Sequence, residues 1–235
     1  MGVTTTVSGT AGVTRRHLLA LAFALMTPRS SKAQGASPAD KDLLIAAQRG
    51  DTAGVARLLA SGATVDARDG NGRTALLIAV DRNHVELARL LIEAGADVNA
   101  KDNIDDSPYM FAGAEGRLEI LRMTLAHGAD LRSLNRFGGT ALIPAAHHGH
   151  VETVRELLKT SIDINHVNRL GWTALLEAII LGDGGARHTD IVRLLVNAHA
   201  DVNLADNQGV TPLAHAQRRN YSEIAGILAK AGATQ

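Results

Sequence analysis

Along most of the chain, apolar residues recur every three to four positions within short windows, the spacing of one face of an α-helix. Val85-Glu86-Leu87-Ala88-Arg89-Leu90-Leu91, Leu118-Glu119-Ile120-Leu121-Arg122, Val151-Glu152-Thr153-Val154-Arg155-Glu156-Leu157-Leu158 and Ile191-Val192-Arg193-Leu194-Leu195 all carry such a stripe. Ahead of each lies a shorter apolar stretch that opens on a hydroxyl residue. Thr74, Ser107, Thr140 and Thr173 stand 33 residues apart, and Thr211 follows after 38. A Thr or Ser there can accept from the free amides of a helix start, and Pro108 and Pro212 fit the first helical position, where no amide is needed. A second motif keeps step with the first: Ala94-Gly95-Ala96-Asp97-Val98-Asn99, His127-Gly128-Ala129-Asp130-Leu131, Ser161-Ile162-Asp163-Ile164-Asn165, His199-Ala200-Asp201-Val202-Asn203 and Ala231-Gly232-Ala233. Two motifs on one period predict pairs of short helices ended by Gly turns. Between pairs the chain runs out through Asp-Val-Asn and back through Asn/Asp-x-x-Gly as a two-stranded finger.

These residues resemble the ankyrin repeat family, over about Ala39 to Gln235. The resemblance implies an all-α fold, an ankyrin-repeat solenoid of about six helix-turn-helix repeats with β-hairpin fingers. The repeats fall at about residues 40–69, 70–102, 103–135, 136–168, 169–206 and 207–235, after a link at 34–39. The first lacks the Thr-Pro-Leu signature and the last carries polar substitutions, as solvent-facing terminal repeats require. Where the commoner family motif has His, two residues after the Pro, this chain has Leu77, Met110, Ile143, Leu176 and Ala214. The Thr to His bond that braces many such repeats is therefore absent, and the style looks like that of bacterial members. At the helix-ending turn, Ser161 and His199 replace Gly, at a cost of ~1 kcal/mol each if the turn is still left-handed. The fifth repeat holds five extra residues within Gly182–Thr189. They predict a longer, Gly-rich loop and are read as part of a binding surface.

Composition narrows the function. Hydrophobic residues make up 46% of the chain and aromatics only 3%, which suits thin, repetitive helix packing better than a core built on large rings. Residues 1–33 hold four of the 24 basic residues (Arg15, Arg16, Arg29 and Lys32) and none of the 24 acidic ones, so the remainder is mildly acidic. That balance lacks the clustered Lys and Arg that nucleic acid or an anionic membrane would require. With no cysteine, disulfides, thiolate metal sites and cysteine nucleophiles are excluded. The polar stretch Met1 to Thr14, the Arg15-Arg16 pair, the apolar run Leu18 to Met26 and Ser31-Lys32-Ala33 have the three-part form of a signal peptide. The apolar run is far short of the ~20 residues that span a bilayer. Paired arginines before His17-Leu18-Leu19 resemble twin-arginine signals, which export folded proteins. The expected location is the periplasm, with the cytoplasm as the alternative.

The family resemblance also implies where a partner sits, because ankyrin proteins bind with the finger tips and the exposed side of the first helices. Those positions hold Arg73, Ile104, Asp106, Phe137, Arg169, Leu170 and Trp172 on the fingers, and Glu177, Ile180 and Leu181 on a first helix. Apolar residues in a row, rimmed by arginine, match the composition of interaction hot spots. Glu177 occupies a position held by Ile78 and Phe111 in earlier repeats, so it either points into the groove or pairs with His147 or His148. The expected function is a non-enzymatic protein-protein interaction scaffold that binds or stabilises a periplasmic protein through its concave surface. A cytoplasmic effector or immunity-type binding protein is the alternative, and a metal hydrolase using the histidines and Glu177 a remote one. His147, His148 and His150 span a helix end and a turn with no carboxylate or Cys at ligand spacing. No catalytic residue, cofactor or metal is expected, and the mature protein is expected to be a monomer. Cell fractionation checks the export reading: a cleaved form in the periplasm is expected, and an uncleaved cytosolic form removes the argument.

Overall fold

The computed structural model describes residues 1–2 and 37–234. The chain divides into two units, Met1–Gln34 and Gly35–Gln235. The signal expected at residues 1–33 lies outside the described residues, apart from Met1 and Gly2. In the second unit, Ser37 caps the first helix, α1 (Pro38–Arg49). Its Oγ accepts from the Asp40 amide at 3.1 Å while the Asp40 carboxylate accepts from the Ser37 amide at 3.0 Å. The link expected at 34–39 is thus shorter than read, because this reciprocal cap makes Pro38 and Ala39 helical.

Eleven further helices follow among the described residues: α2 (Thr52–Ala60), α3 (Ala75–Asp81), α4 (Val85–Glu93), α5 (Pro108–Ala114), α6 (Leu118–Ala126), α7 (Leu142–His147), α8 (Val151–Leu157), α9 (Ala174–Ile180), α10 (Ala186–Asn197), α11 (Pro212–Arg218) and α12 (Ser222–Lys230). Each odd-numbered helix packs on the next odd one, each even helix on the next even one, and each pair on itself, which makes two helical layers. One apolar cluster runs through the stack from Leu43 to Leu228, and Leu76, Leu87, Leu91, Ile120, Leu121, Leu142 and Leu175 are fully buried in it. Each such side chain stabilises by ~1.5–3 kcal/mol. No helix among the described residues is long and apolar enough to cross a membrane.

The expected two-stranded fingers are present as very short hairpins. The described residues contain a single isolated bridge, between Arg68 and Thr74. Each finger is a tight hairpin turn, closed by a backbone bond such as that from the Asp69 amide to Arg73 O at 3.0 Å and held further by one Asp or Asn side chain. Asp69 Oδ1 accepts from the amides of Asn71 and Arg73, both at 2.9 Å. Asp102, Asn135, Asn168 and Asp206 each repeat the arrangement with the amides two and four residues on. Side-chain oxygen therefore takes the amides that a strand ladder would have used. Neighbouring turns are tied together as well: the Asn103 amide donates to Asn71 O at 3.0 Å and the Arg169 amide to Phe137 O at 2.9 Å.

Thr74, Ser107, Thr173 and Thr211 cap α3, α5, α9 and α11 as expected, each accepting from the amide three residues on at 3.2 Å. Thr140 does not. Its Oγ1 is buried with no hydrogen-bond partner, and α7 starts late, at Leu142. Pro144 supplies the reason. In the other repeats the residue four after the Thr or Ser donates its amide back to that residue's carbonyl, as Ile78, Phe111, Glu177 and His215 do. Proline has no amide to give, so the first turn of α7 is rebuilt.

The two turns without glycine behave differently. His199 is left-handed, at φ 64°, a conformation that strains a residue with a Cβ. Ser161 avoids it: Thr160 Oγ1 donates to Leu157 O at 2.6 Å and accepts from the Ile162 amide at 3.2 Å, replacing the backbone bond of the other turns. The insertion at Gly182–Thr189 is no loose loop either, since α10 begins within it. His188 is buried, with Nε2 2.8 Å from His147 O and Nδ1 2.7 Å from Asp183 Oδ1, and Tyr221 Oη donates to Gly182 O at 3.0 Å. The chemistry of the caps yields a contrast that urea denaturation can measure. Thr74→Val is expected to cost about 1 kcal/mol by removing a cap, whereas Thr140→Val is expected to be neutral or stabilising, because it removes only an unpaired buried hydroxyl.

Candidate partner-binding surface

The Asx turns set what the fingers present. With the amide of the second residue after each Asp or Asn drawn inward to the side-chain oxygen, the side chain of that residue is turned outward. Three consecutive fingers place large apolar residues there: Ile104, Phe137 and Leu170, each 50% exposed or more. Leu181, just past α9, is exposed too. Between the fingers and the odd-numbered helices lies a cavity of about 320 Å³.

Of the residues expected to bind, Asp106, Phe137, Leu170, Glu177 and Leu181 line this cavity. The other five do not. Arg73 is folded back on its own finger, with Nε 2.9 Å from Asp69 Oδ2. Ile104 projects from the next finger, and Arg169 reaches across to donate to Arg136 O at 2.9 Å. Trp172 and Ile180 are half-buried.

Cavity residues that the sequence reading did not place in the site are chiefly Phe111, Pro144 and Asn168. Phe111 and Pro144 share one column along the odd-numbered helices with Ile78, Glu177 and His215, all four residues after the capping hydroxyl. That column was readable as a face of the groove, because Glu177 already stood out in it. Asn168 carries a subtler signal. Three of the five finger turns use Asp, and only an amide side chain leaves an N–H donor over once its oxygen is committed.

That donor meets Glu177. Asn168 Nδ2 donates to Glu177 Oε1 at 2.8 Å, and Glu177 Oε2 lies 3.7 Å from His147 Nδ1. Glu177 is only 6% exposed. Burial raises its pKa above the ordinary carboxylate value, against the opposing effects of Asn168 and the His148 charge. Burial, aided by the neighbouring His148 and His188, lowers the pKa of His147 below the ordinary imidazole value. Glu177 thus lines the groove, and its hydrogen-bond partner is Asn168 rather than the His147 or His148 expected. Nearby, Asp106 Oδ2 is 3.2 Å from Arg136 Nη1, and the guanidinium lies 4.9 Å from the centroid of the Phe137 ring. Burial raises the Asp106 pKa while Arg136 opposes it. The rings of His147 and His148 lie tilted at 47° with centroids 4.6 Å apart. Among the described residues, no group of three or more His, Asp or Glu side chains stands where it could hold a metal ion.

Two layers of short helices with stacked turns on one side define a helical-repeat solenoid whose concave face carries the cavity. Comparison with known proteins identifies which one. The family model for ankyrin repeats (three copies) matches residues 43–133 and 109–205. A crystal structure of an ankyrin repeat domain from Acinetobacter baumannii AYE is 58% identical, covering 82% of this chain and 98% of that one with a TM-score of 0.80. The ankyrin repeat domain of Bcl-3, a member of the IkappaB protein family, is 29% identical over 82% of this chain and 86% of its own, with a TM-score of 0.74. The putative ankyrin repeat protein YahD of Escherichia coli (strain K12) is 47% identical over 57 residues; the chain spans only 28% of the length of that relative. The chain belongs to the ankyrin repeat family.

The buried carboxylate gives a pH-dependent prediction. A carboxyl with a raised folded-state pKa contributes stability that is present below its unfolded pKa and lost as pH rises through the folded value. Glu177→Gln, which keeps an acceptor for Asn168, is expected to match wild type in acid and to exceed it in thermal stability at neutral pH. Melting curves from pH 4 to pH 8 measure this, and a stability difference that does not change with pH would contradict it.

Proposed function

We propose that this protein is a non-enzymatic scaffold that holds a folded protein partner against its concave face. The observation that carries the reading is the row Ile104, Phe137 and Leu170, held outward by their turns beside a cavity that the exposed Leu181 also lines. Consecutive exposed apolar side chains on a rigid frame favour association, because little conformational entropy is left to lose on binding. Arg136 beside Phe137 adds an aromatic and arginine pairing typical of interface anchors. Family membership supports the same reading, since ankyrin repeats serve as protein-protein interaction scaffolds. The twin-arginine signal read at the amino terminus supports a periplasmic site of action on a partner that is itself in the envelope, with the mature chain acting as a monomer.

Affinity capture from an envelope fraction, compared between wild type and Phe137→Ala/Leu170→Ala, tests this surface. Both side chains are half exposed, so the variant is expected to fold, with stability changed by no more than ~0.5 kcal/mol per site. A partner held by wild type and by an Ile45→Ala control, but lost by the double variant, is the expected outcome. Identical capture by all three would place the binding surface elsewhere.

A further inference from the structure

The cavity of the concave face has an apolar rim and an acidic base. Phe137, Leu170 and Leu181 are exposed at its mouth, while Glu177 lines the same cavity yet is almost wholly withdrawn from solvent. A withdrawn carboxylate needs donors or a cation. Glu177 has one donor, Asn168 Nδ2, on Oε1. Its Oε2 has no hydrogen bond; the nearest basic nitrogen, His147 Nδ1, is at 3.7 Å, beyond hydrogen-bond range. Arg136, the one arginine on the cavity wall, is committed to Asp106. Glu115 also lines the cavity, beside His148, whose Nδ1 is 2.8 Å from Ala114 O. Among the described residues the cavity thus offers a recessed carboxylate and apolar walls, with no Lys and with its one Arg committed elsewhere.

Resting on the scaffold reading above, we propose that this cavity receives a lysine or arginine side chain from a polypeptide segment of the partner, flanked there by apolar residues that cover Phe137, Leu170 and Leu181. Charge complementarity names the anchor: a cation at the cavity base supplies the missing partner of Glu177 Oε2, while its aliphatic stem lies along the apolar walls. Arg136 against Phe137 already displays a guanidinium on an aromatic wall of this cavity. A polypeptide fits better than a free small molecule. At about 320 Å³ the cavity is at the small end for ligand pockets, ~300–1,000 Å³, and a lone ligand inside it would leave the fingertip row uncovered. Arrival of the cation favours the ionised form of Glu177, opposing the upward push of burial on its pKa.

NMR of the isotope-labelled protein reads this directly, following the methyl groups of Ile143, Leu170 and Leu181 and the side-chain carboxyl carbon of Glu177. The probes are N-acetyl-arginine methylamide and its uncharged counterpart N-acetyl-norleucine methylamide. The arginine probe is expected to shift these signals saturably, at least ~10-fold more tightly than norleucine, and to lower the midpoint of Glu177 titration. Glu177→Gln is expected to reduce arginine binding to the norleucine level. Leu181→Lys, at an exposed site that leaves the core intact, is expected to weaken the arginine probe by placing a competing cation at the mouth. Equal binding of the two probes, arginine shifts that survive in Glu177→Gln, or no shift at the cavity would each overturn the proposal. A partner lost by Phe137→Ala/Leu170→Ala but kept by Glu177→Gln would leave the scaffold standing and remove only the cationic anchor.

Discussion

A pair of helices seven to nine residues long, such as α3 with α4, has an apolar face that it cannot cover by itself. Everything else follows from that shortage. Burial is completed only when the next pair docks in one register, so register must be enforced at every joint. At four of the five joints a side-chain oxygen does this. Asp66, Asn99, Asn165 and Asn203 each accept, through a carboxylate or amide oxygen, from a backbone amide of the following repeat: Asp97, Asp130, Asp201 and Thr234 respectively. The Asp-Val-Asn motif is therefore a splice between repeats. Each such bond contributes only ~1 kcal/mol net; its larger effect is to align the apolar faces that supply most of the stability.

The finger turns and the first helices are coupled through one further pair of positions, nine residues apart. In the fifth repeat the pair is Asn168 with Glu177, and in the sixth it is Asp206 with His215, where His215 Nε2 lies 2.8 Å from Asp206 Oδ2. Donor and acceptor have exchanged ends while the geometry is kept. Both turns still use their first side-chain oxygen to hold the finger, so the second polar atom is free to reach the helix. The polarity of the helix residue then decides which turn residue is acceptable: beside Glu177, an Asp at 168 would bring two carboxylates together.

How far the sequence was legible follows from this division of labour. Helix pairs, caps and the splice recur at a fixed period, and repetition makes even weak local signals add up. What escaped the reading depends on single atoms. Pro144 was visible, but its consequence required knowing that the fourth residue after Thr140 owes an amide to that residue's carbonyl. Thr160 replaces a missing glycine through its hydroxyl, which no turn propensity announces. The fingers were expected as hairpins because Asn/Asp-x-x-Gly is a hairpin signal. Here the side-chain oxygens of Asp69 and its counterparts saturate the turn amides, so the ladder does not extend. For the site, the outward row of Ile104, Phe137 and Leu170 was readable from the period, whereas the closing of Arg73 on Asp69 and the half-burial of Trp172 depend on how neighbouring fingers pack.

The departures from the repeat pattern are not spread evenly. Phe111, Pro144 and Glu177 occupy one column of the concave face, and all three line the same cavity. Pro144 breaks a helix start and strands the Thr140 hydroxyl; Glu177 withdraws a carboxylate from water; the packed insertion that follows Leu181 holds His188 against the carbonyl of His147, at the end of α7. Each local rule broken here costs stability that a regular repeat would have kept, by an unpaired hydroxyl or a desolvated carboxylate. Terminal repeats depart from the pattern for solubility, but α7 and α9 are internal and have no such reason. Costs gathered around one cavity, in repeats whose neighbours keep the rule, are what a fold retains at the place where it must recognise something else.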